Sequence, residues 1–243
     1  DRNFSIACLL SFLLGIGLFG SVYLMPVFLA FVRDHGALQI GLIMLVTGVT
    51  QLLFAPLAVQ FDRRIDARLL SGIGFLLFGL GLGWSAFQTP ETDFDGMFWP
   101  QVLRGAAIMF CLLPPTRLAL GELEKLRVPD ASGVFNLMRN LGGAIGIALI
   151  DTIIFGRAPD HGEALLAQLQ AGDVGAADFV GVPLDGFQAL SQGSIDVEAI
   201  GMLQTAIEKA AMTMAVNEAW AVLSVMTLAA LLLLPAARKP SQI

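Results

Sequence analysis

Charge is scarce in this sequence, and what there is falls in clusters. Aspartate, glutamate, lysine and arginine make up 14% of the residues, against about a quarter in an ordinary soluble domain. None occurs between residues 3 and 32, 36 and 61, or 69 and 90. Apolar runs of that length exclude a water-soluble globule, and each is a candidate membrane span. There are only two histidines, both in polar stretches between spans, and two cysteines, Cys8 and Cys111, both inside apolar runs. Metal-ligand spacing and a disulfide framework are therefore excluded, and the thiols read as small packing residues. No GxxxxGK[ST] phosphate loop and no GxSxG elbow is present, which removes an ATP-driven engine and a serine hydrolase. The basic residues form no stripe for nucleic acid. The sequence thus reads as a non-enzyme without metal or cofactor and with no nucleic-acid partner.

What it has in abundance is apolar surface, 56% of residues, with a mean hydropathy of +0.76. Three further apolar stretches carry isolated charges, which makes six expected spans: 4–32, 36–61, 69–88, 97–120, 131–155 and 212–235. The expected fold is an all-α bundle of six transmembrane helices with the lipid bilayer as its first partner. It divides into five spans over 1–156, an acidic external loop over 157–211, and a sixth span with its tail over 212–243. The first run is too long for a signal peptide and leads straight into a second span. Asp1 in place of a methionine raises the expectation of a fragment or processed chain. Arg2, Arg63, Arg64, Arg68, Lys125, Arg127, Arg238 and Lys239 share one set of helix ends, while Arg33, Arg157 and Lys209 share the other. The excess of basic residues marks the cytoplasmic side and puts both termini there, in a cell (inner) membrane. The loop from 157 to 211 holds eight acids and two bases, a net −6 equal to that of the whole chain. Within it, 164–170 fits a short helix, 172–193 reads as irregular, and 195–211 reads as an amphipathic helix continuing into the sixth span.

The polar residues inside the spans are the candidate working parts. The stretch 131–151, ASGVFNLMRNLGGAIGIALID, puts Arg139, Gly142, Gly143 and Gly146 on one helical stripe, and Asn136, Asn140 and Asp151 on a second about a quarter-turn away. The glycines fit a close helix contact, as do Gly79 and Gly83 in the third span. The polar stripe needs protein or water beside it. In the fourth span Arg104 is expected ~10 Å from the outer end at 1.5 Å per residue, facing the bundle interior or snorkelling outward. Asp151 and Glu218 are expected at nearly that depth, so Arg104 pairing with either would gate or line the outer half of a path. In that case Arg104→Ala would shift a transport pH optimum. Pro26 and Pro114-Pro115 are expected to kink or end their helices. His35, in the first external link, reads as a solvated loop residue, with pH sensing as the alternative.

The turn APLAVQFDRRIDARLL, residues 55–70, resembles the second copy of the cytoplasmic loop signature of the major facilitator superfamily, G-x-L-x-D-R-x-G-R-[RK]. Asp62 and Arg63 match its acid–base pair and Arg68 lies near its later basic position. Ala58 stands where glycine is expected, and Asp66-Ala67 replaces the glycine region. The resemblance implies a cytoplasmic latch that pairs in one state and releases in the other; the alternative is a basic anchor with an incidental aspartate. RG in the fourth span, PPTRLAL after it, the 131–151 stretch, and Asn217, Glu218 and Trp220 opening the sixth span resemble the C-terminal half of the 14-span drug:proton antiporters of the EmrB/QacA type. Asp151 falls outside that pattern. The resemblance implies half of a secondary active transporter, exporting drugs or other amphipathic small molecules against protons by alternating access with a missing N-terminal half. The alternative is a non-transporting membrane interaction or scaffold subunit, or an inactive transporter fragment.

Overall fold

A computed structural model describes residues 2–121, 123, 124, 126–183 and 197–237. Lys125, Arg238 and Lys239 of the basic ends, Asp185 and Asp196 of the acidic loop, and residues 184–193 of the 172–193 stretch lie outside the described residues. Among the described residues, seven α-helices follow one another: α1 (Arg2–Phe31), α2 (Ala37–Asp62), α3 (Ala67–Trp84), α4 (Phe94–Leu120), α5 (Val128–Gln170), α6 (Val174–Val180) and α7 (Val197–Leu228). Two 3₁₀ turns, Ala229–Leu232 and Leu234–Ala236, extend α7. Among the described residues, six helical segments are long and apolar enough to cross a membrane. A backbone in lipid must satisfy its own N–H and C=O groups, so apolar runs of this length are helical. The protein is an all-α, multi-pass membrane bundle.

Pro26 lies inside α1, and Pro114 and Pro115 inside α4, without ending either helix. Within lipid the helix is the cheapest state even with a donor missing. Polar caps mark helix starts at the bundle ends: Asp66 accepts from Arg68 N–H at 2.9 Å, and Asp93 accepts from Phe94 N–H at 2.8 Å.

α1 is the centre of the bundle, packed on α5, α7 and α4, while α3 packs on α4 and α7, and α2 leans chiefly on α4. The core is built from Leu14, Leu24, Phe28, Phe75, Phe78 and Trp220 among others, all essentially inaccessible. α1 and α5 run parallel: Ser11 Oγ donates to Phe135 O at 3.0 Å near one end, and Tyr23 meets Asp151 toward the other. Between these contacts a Cβ on Gly142 would collide with the Phe12 carbonyl oxygen, and one on Gly15 with the Arg139 carbonyl oxygen. Gly146 sits over the Ile16 backbone and Gly143 over the Phe19 ring. The backbones touch because neither helix places a side chain there.

α5 runs on past the expected end of its span. Its 43 residues reach ~64 Å at 1.5 Å per residue, twice the ~30 Å hydrocarbon core. No break occurs at 156, and the short helix expected at 164–170 is the end of the same rod. Leu165 and Leu169 there pack with Ala176, Ala177 and Val180 of α6 and with Ile207, Ala210 and Ala211 of α7. The piece beyond the spans therefore has a small apolar core, a helical cap standing on the bundle. α7 is unbroken from cap to span over Val197–Leu228.

Candidate functional site

The sequence-expected site residues occupy three levels of the bundle. At the middle lies Arg104. Because α4 begins at Phe94 rather than 97, Arg104 is ~15 Å from that helix end and ~5 Å from the middle of the helix at 1.5 Å per residue. It is 3% exposed, and its Cζ stands 4.7 Å from the centroid of the fully buried Trp220 ring. That contact is worth up to ~2 kcal/mol away from water. Its Nε has no hydrogen-bond partner. One turn earlier on α4, Gln101 is fully buried, accepts from Thr47 Oγ1 at 3.0 Å, and leaves its Nε2 without a partner.

Arg104 borders a cavity of about 200 Å³ between α1 and α2, with α4 behind it; Ser21, Met25, Thr47 and Gln51 are also on its wall. Val22, half exposed, also lines it and places its mouth on the α1–α2 side. Phe78 closes its inner wall.

The pairing of Arg104 with Asp151 or Glu218 does not form. Asp151 accepts from Tyr23 Oη at 2.7 Å across the α1–α5 seam. Glu218 points the other way, accepting from Arg157 at 3.0 and 3.2 Å and lying 3.0 Å from His161. Among the described residues no carboxylate lies within ion-pair distance of Arg104. Equal depth fixes only one coordinate of three. Glu218 and Trp220 are two residues apart, about 200° around a helix, so the face that gives Trp220 to Arg104 turns Glu218 away. The expected pH shift on Arg104→Ala loses its premise.

The other path residues have separate duties. Asn217 pins α7 to the end of α3, its Nδ2 donating to Gln88 O at 2.7 Å and its Oδ1 accepting from Gln88 N–H at 3.1 Å. Asn136 bonds within its own helix, to Ser132 O at 2.9 Å and from Arg139. Asn140 is exposed. Gly79 faces the Leu228 side chain, and Gly83 faces Ser224, whose Oγ donates to Gly79 O at 2.8 Å.

At the basic end Asp62 lies 3.6 Å from Arg117 Nε of α4, and Arg117 also donates to the Asp62 and Ile65 carbonyls. Arg68 instead bonds Asp66 and the Ala237 carbonyl at 3.1 Å, and Arg63 is exposed. The contact across helix ends is thus Asp62–Arg117. Arg117 was missed as the partner of Asp62 because its position near the cytoplasmic end of the fourth span gave its depth and not its direction, although PPTR at a helix end on the same level was a usable signal. Tyr23, the one tyrosine of the sequence, and the Thr47, Gln51, Gln101 set were also missed. Their i, i+4 and i, i+3 spacing with each other and with Arg104 was the available clue.

At the opposite end a clasp joins the α1–α2 and α3–α4 turns. Asp93 accepts from Arg33 at 3.1 Å and lies 3.0 Å from His35, so His35 is a bridging residue at 17% side-chain exposure rather than a solvated one. Burial pushes the Asp93 carboxyl up, but hydrogen bonds from His35, Phe94 N–H and Arg33 outweigh it and hold it below its ordinary value. A carboxyl depressed by folding adds stability above its unfolded pKa and loses it as pH falls through the folded one. For a pair this exposed the contribution is about 0.2–1 kcal/mol. Asp93→Asn, which keeps the helix cap, is expected to flatten the fall in thermal midpoint below about pH 4. An acid limb identical to that of the parent would refute the clasp.

An apolar multi-pass bundle with a polar cavity at mid-depth and interlocked helix ends has the build of a membrane transporter half. Comparison with known proteins agrees. The Acinetobacter baumannii colistin resistance protein EmrB is 40% identical over 152 residues, 63% of this chain and 30% of that protein. The Haemophilus influenzae and Escherichia coli multidrug export proteins EmrB are 31% and 30% identical over 162 residues, 66% of this chain and 32% of theirs. No family model matches the chain. The chain is homologous to the EmrB-type proteins of the major facilitator superfamily, and spans about a third of the length of these relatives.

Proposed function

We propose that this chain forms the C-terminal half of a proton-coupled exporter of drugs or other amphipathic small molecules, working by alternating access against an N-terminal half. The observation that carries the reading is the combination of a six-span bundle with 30–40% identity to multidrug export proteins. The mid-depth cavity between α1 and α2 supports it. At about 200 Å³ it is smaller than the ~300–1,000 Å³ of drug-sized sites, as expected of half a site. α2 is the least buried of the spans, which suits a helix meeting the second half. Arg104 lines the substrate side, with Gln101 buried one turn behind it; Asp151 with Tyr23 is the assigned proton-path carboxylate. Asn136, Asn140, Asn217 and Glu218 flank the path, Glu218 holding its outer end. The Asp62–Arg117 contact is the latch, with Arg63 and Arg68 anchoring the cytoplasmic side, and both termini face the cytoplasm of an inner-membrane protein. The segment 157–211 is the acidic outer element.

The test is efflux of the neutral dye Nile red from cells lacking their main exporters and expressing the full gene. Extrusion above vector controls that collapses with a protonophore is expected. Retention equal to the control, with protein present in the membrane, would defeat the reading.

A further inference from the structure

A buried cation needs an opposite charge beside it, and among the described residues Arg104 has none within ion-pair distance. Burying a charge is costly unless it is paired and hydrogen-bonded. Asp151 is held by Tyr23, and Glu218 by Arg157 and His161. Trp220 covers one face of the guanidinium but leaves its in-plane N–H groups unmet, and Nε has no hydrogen-bond partner. Arg104 borders the cavity between α1 and α2, so a counter-ion can reach it there.

The rest of the wall selects the ion. Both wall hydroxyls already have partners for their protons: Ser21 Oγ donates to Leu18 O at 2.9 Å, and Thr47 Oγ1 to Gln101 Oε1 at 3.0 Å. Gln51 on the same wall donates to the Met109 thioether at 3.6 Å. A thioether is a weak acceptor, which leaves the Gln51 amide as a second donor for the cavity. Leu18, Met25, Met44 and Phe78 make most of the remaining wall apolar. One guanidinium and one amide cannot replace the water around sulfate or phosphate, ions that are excluded from protein surfaces. They can hold a weakly hydrated monovalent anion whose shell water completes. The cavity of about 200 Å³ far exceeds the ~10–15 Å³ that one water needs. Gly48, also on the wall, has nothing within 4 Å of its Cβ position, so the space beside it is open.

We propose that this cavity is a halide site, occupied by chloride, with Arg104 as its counter-ion and Gln51 as its second donor. The anion supplies the charge that the described carboxylates do not. It stabilises the protein because it binds the folded bundle and not the unfolded chain. Ion binding here is independent of the transport reading.

The test melts the full-length protein in detergent, in sodium gluconate and with chloride, bromide or fluoride replacing gluconate at constant ionic strength. Chloride and bromide are expected to raise the thermal midpoint saturably, by about 1–3 °C at tenfold above half-saturation. Fluoride, the most strongly hydrated halide, is expected to leave it unchanged. Arg104→Met is expected to abolish the response. Gln51→Leu is expected to raise the half-saturating chloride concentration about tenfold, and gives an answer even if Arg104→Met does not fold. A parent midpoint indifferent to chloride overturns the proposal and assigns the counter-charge to a carboxylate elsewhere in the full-length protein. A response that Arg104→Met retains, or one equal for fluoride and bromide, is a general salt effect and overturns it too. So does an unchanged half-saturation in Gln51→Leu.

Discussion

Gly142→Val is expected to separate α1 from α5 and remove most correctly folded protein from the membrane. The first atom a Cβ at 142 would meet is the Phe12 carbonyl oxygen, and Phe12 C and Cα lie close behind. These are backbone atoms of a helix, so no rotamer change relieves them. Overpacking of a tight site typically costs 1–3 kcal/mol and sometimes more; with a rigid helix on the far side the expected loss is at least ~3 kcal/mol. The same seam carries the Ser11–Phe135 and Tyr23–Asp151 hydrogen bonds, which stretch together if the helices part. Gly133→Ala is the control. It lies on the same helix with nothing within 4 Å of its Cβ position, and alanine there is expected to be neutral or better by ~0.5–1 kcal/mol. Fluorescence-detected gel filtration of detergent extracts reads both. A monodisperse Gly142→Val peak of parental height would show that the contact is not tight.

Arg104→Met should do the reverse, raising the thermal midpoint of the ligand-free protein while impairing its work. Methionine fills much of the same volume and leaves no unpaired cation behind. The gain is the ~2.5–3.5 kcal/mol that a mid-membrane arginine costs, less the ~2 kcal/mol lost with the Trp220 contact, so a net ~1 kcal/mol. A midpoint below that of the parent would mean the guanidinium has a stabilising partner in the assembled protein. Such trade-offs are common where a site holds an unsatisfied group for its ligand.

The six spans were legible because charge is so strongly excluded from lipid that its absence marks them directly. Helix ends were less so. α5 continues through Arg157, Pro159, Asp160 and His161, a cluster that reads as a loop, because beyond the bilayer those polar groups face water while Leu165 and Leu169 find a core on α6 and α7. That core depends on residues some forty positions downstream, which local composition does not contain. The glycines of α5 could be read as a contact face, but their partner Gly15 could not be singled out within a uniformly apolar α1. At the candidate site, depth was readable from position along a helix and direction was not. Arg104 showed itself as a mid-span cation, yet its neighbours Trp220, Gln101 and Thr47 come from the azimuths of three helices, which only packing fixes.

The length of α5 has a mechanical consequence. Its last fifteen residues stand ~22 Å beyond Phe155 at 1.5 Å per residue, and α7 returns from the same cap without a break. Cap and spans therefore turn together. A tilt of α5 by ~10° would sweep the far end of the cap through about 4 Å on an arm of that length. The cap is a pointer, converting a small rotation at the glycine seam into a displacement that a label on exposed Gln170 could follow from outside the bilayer.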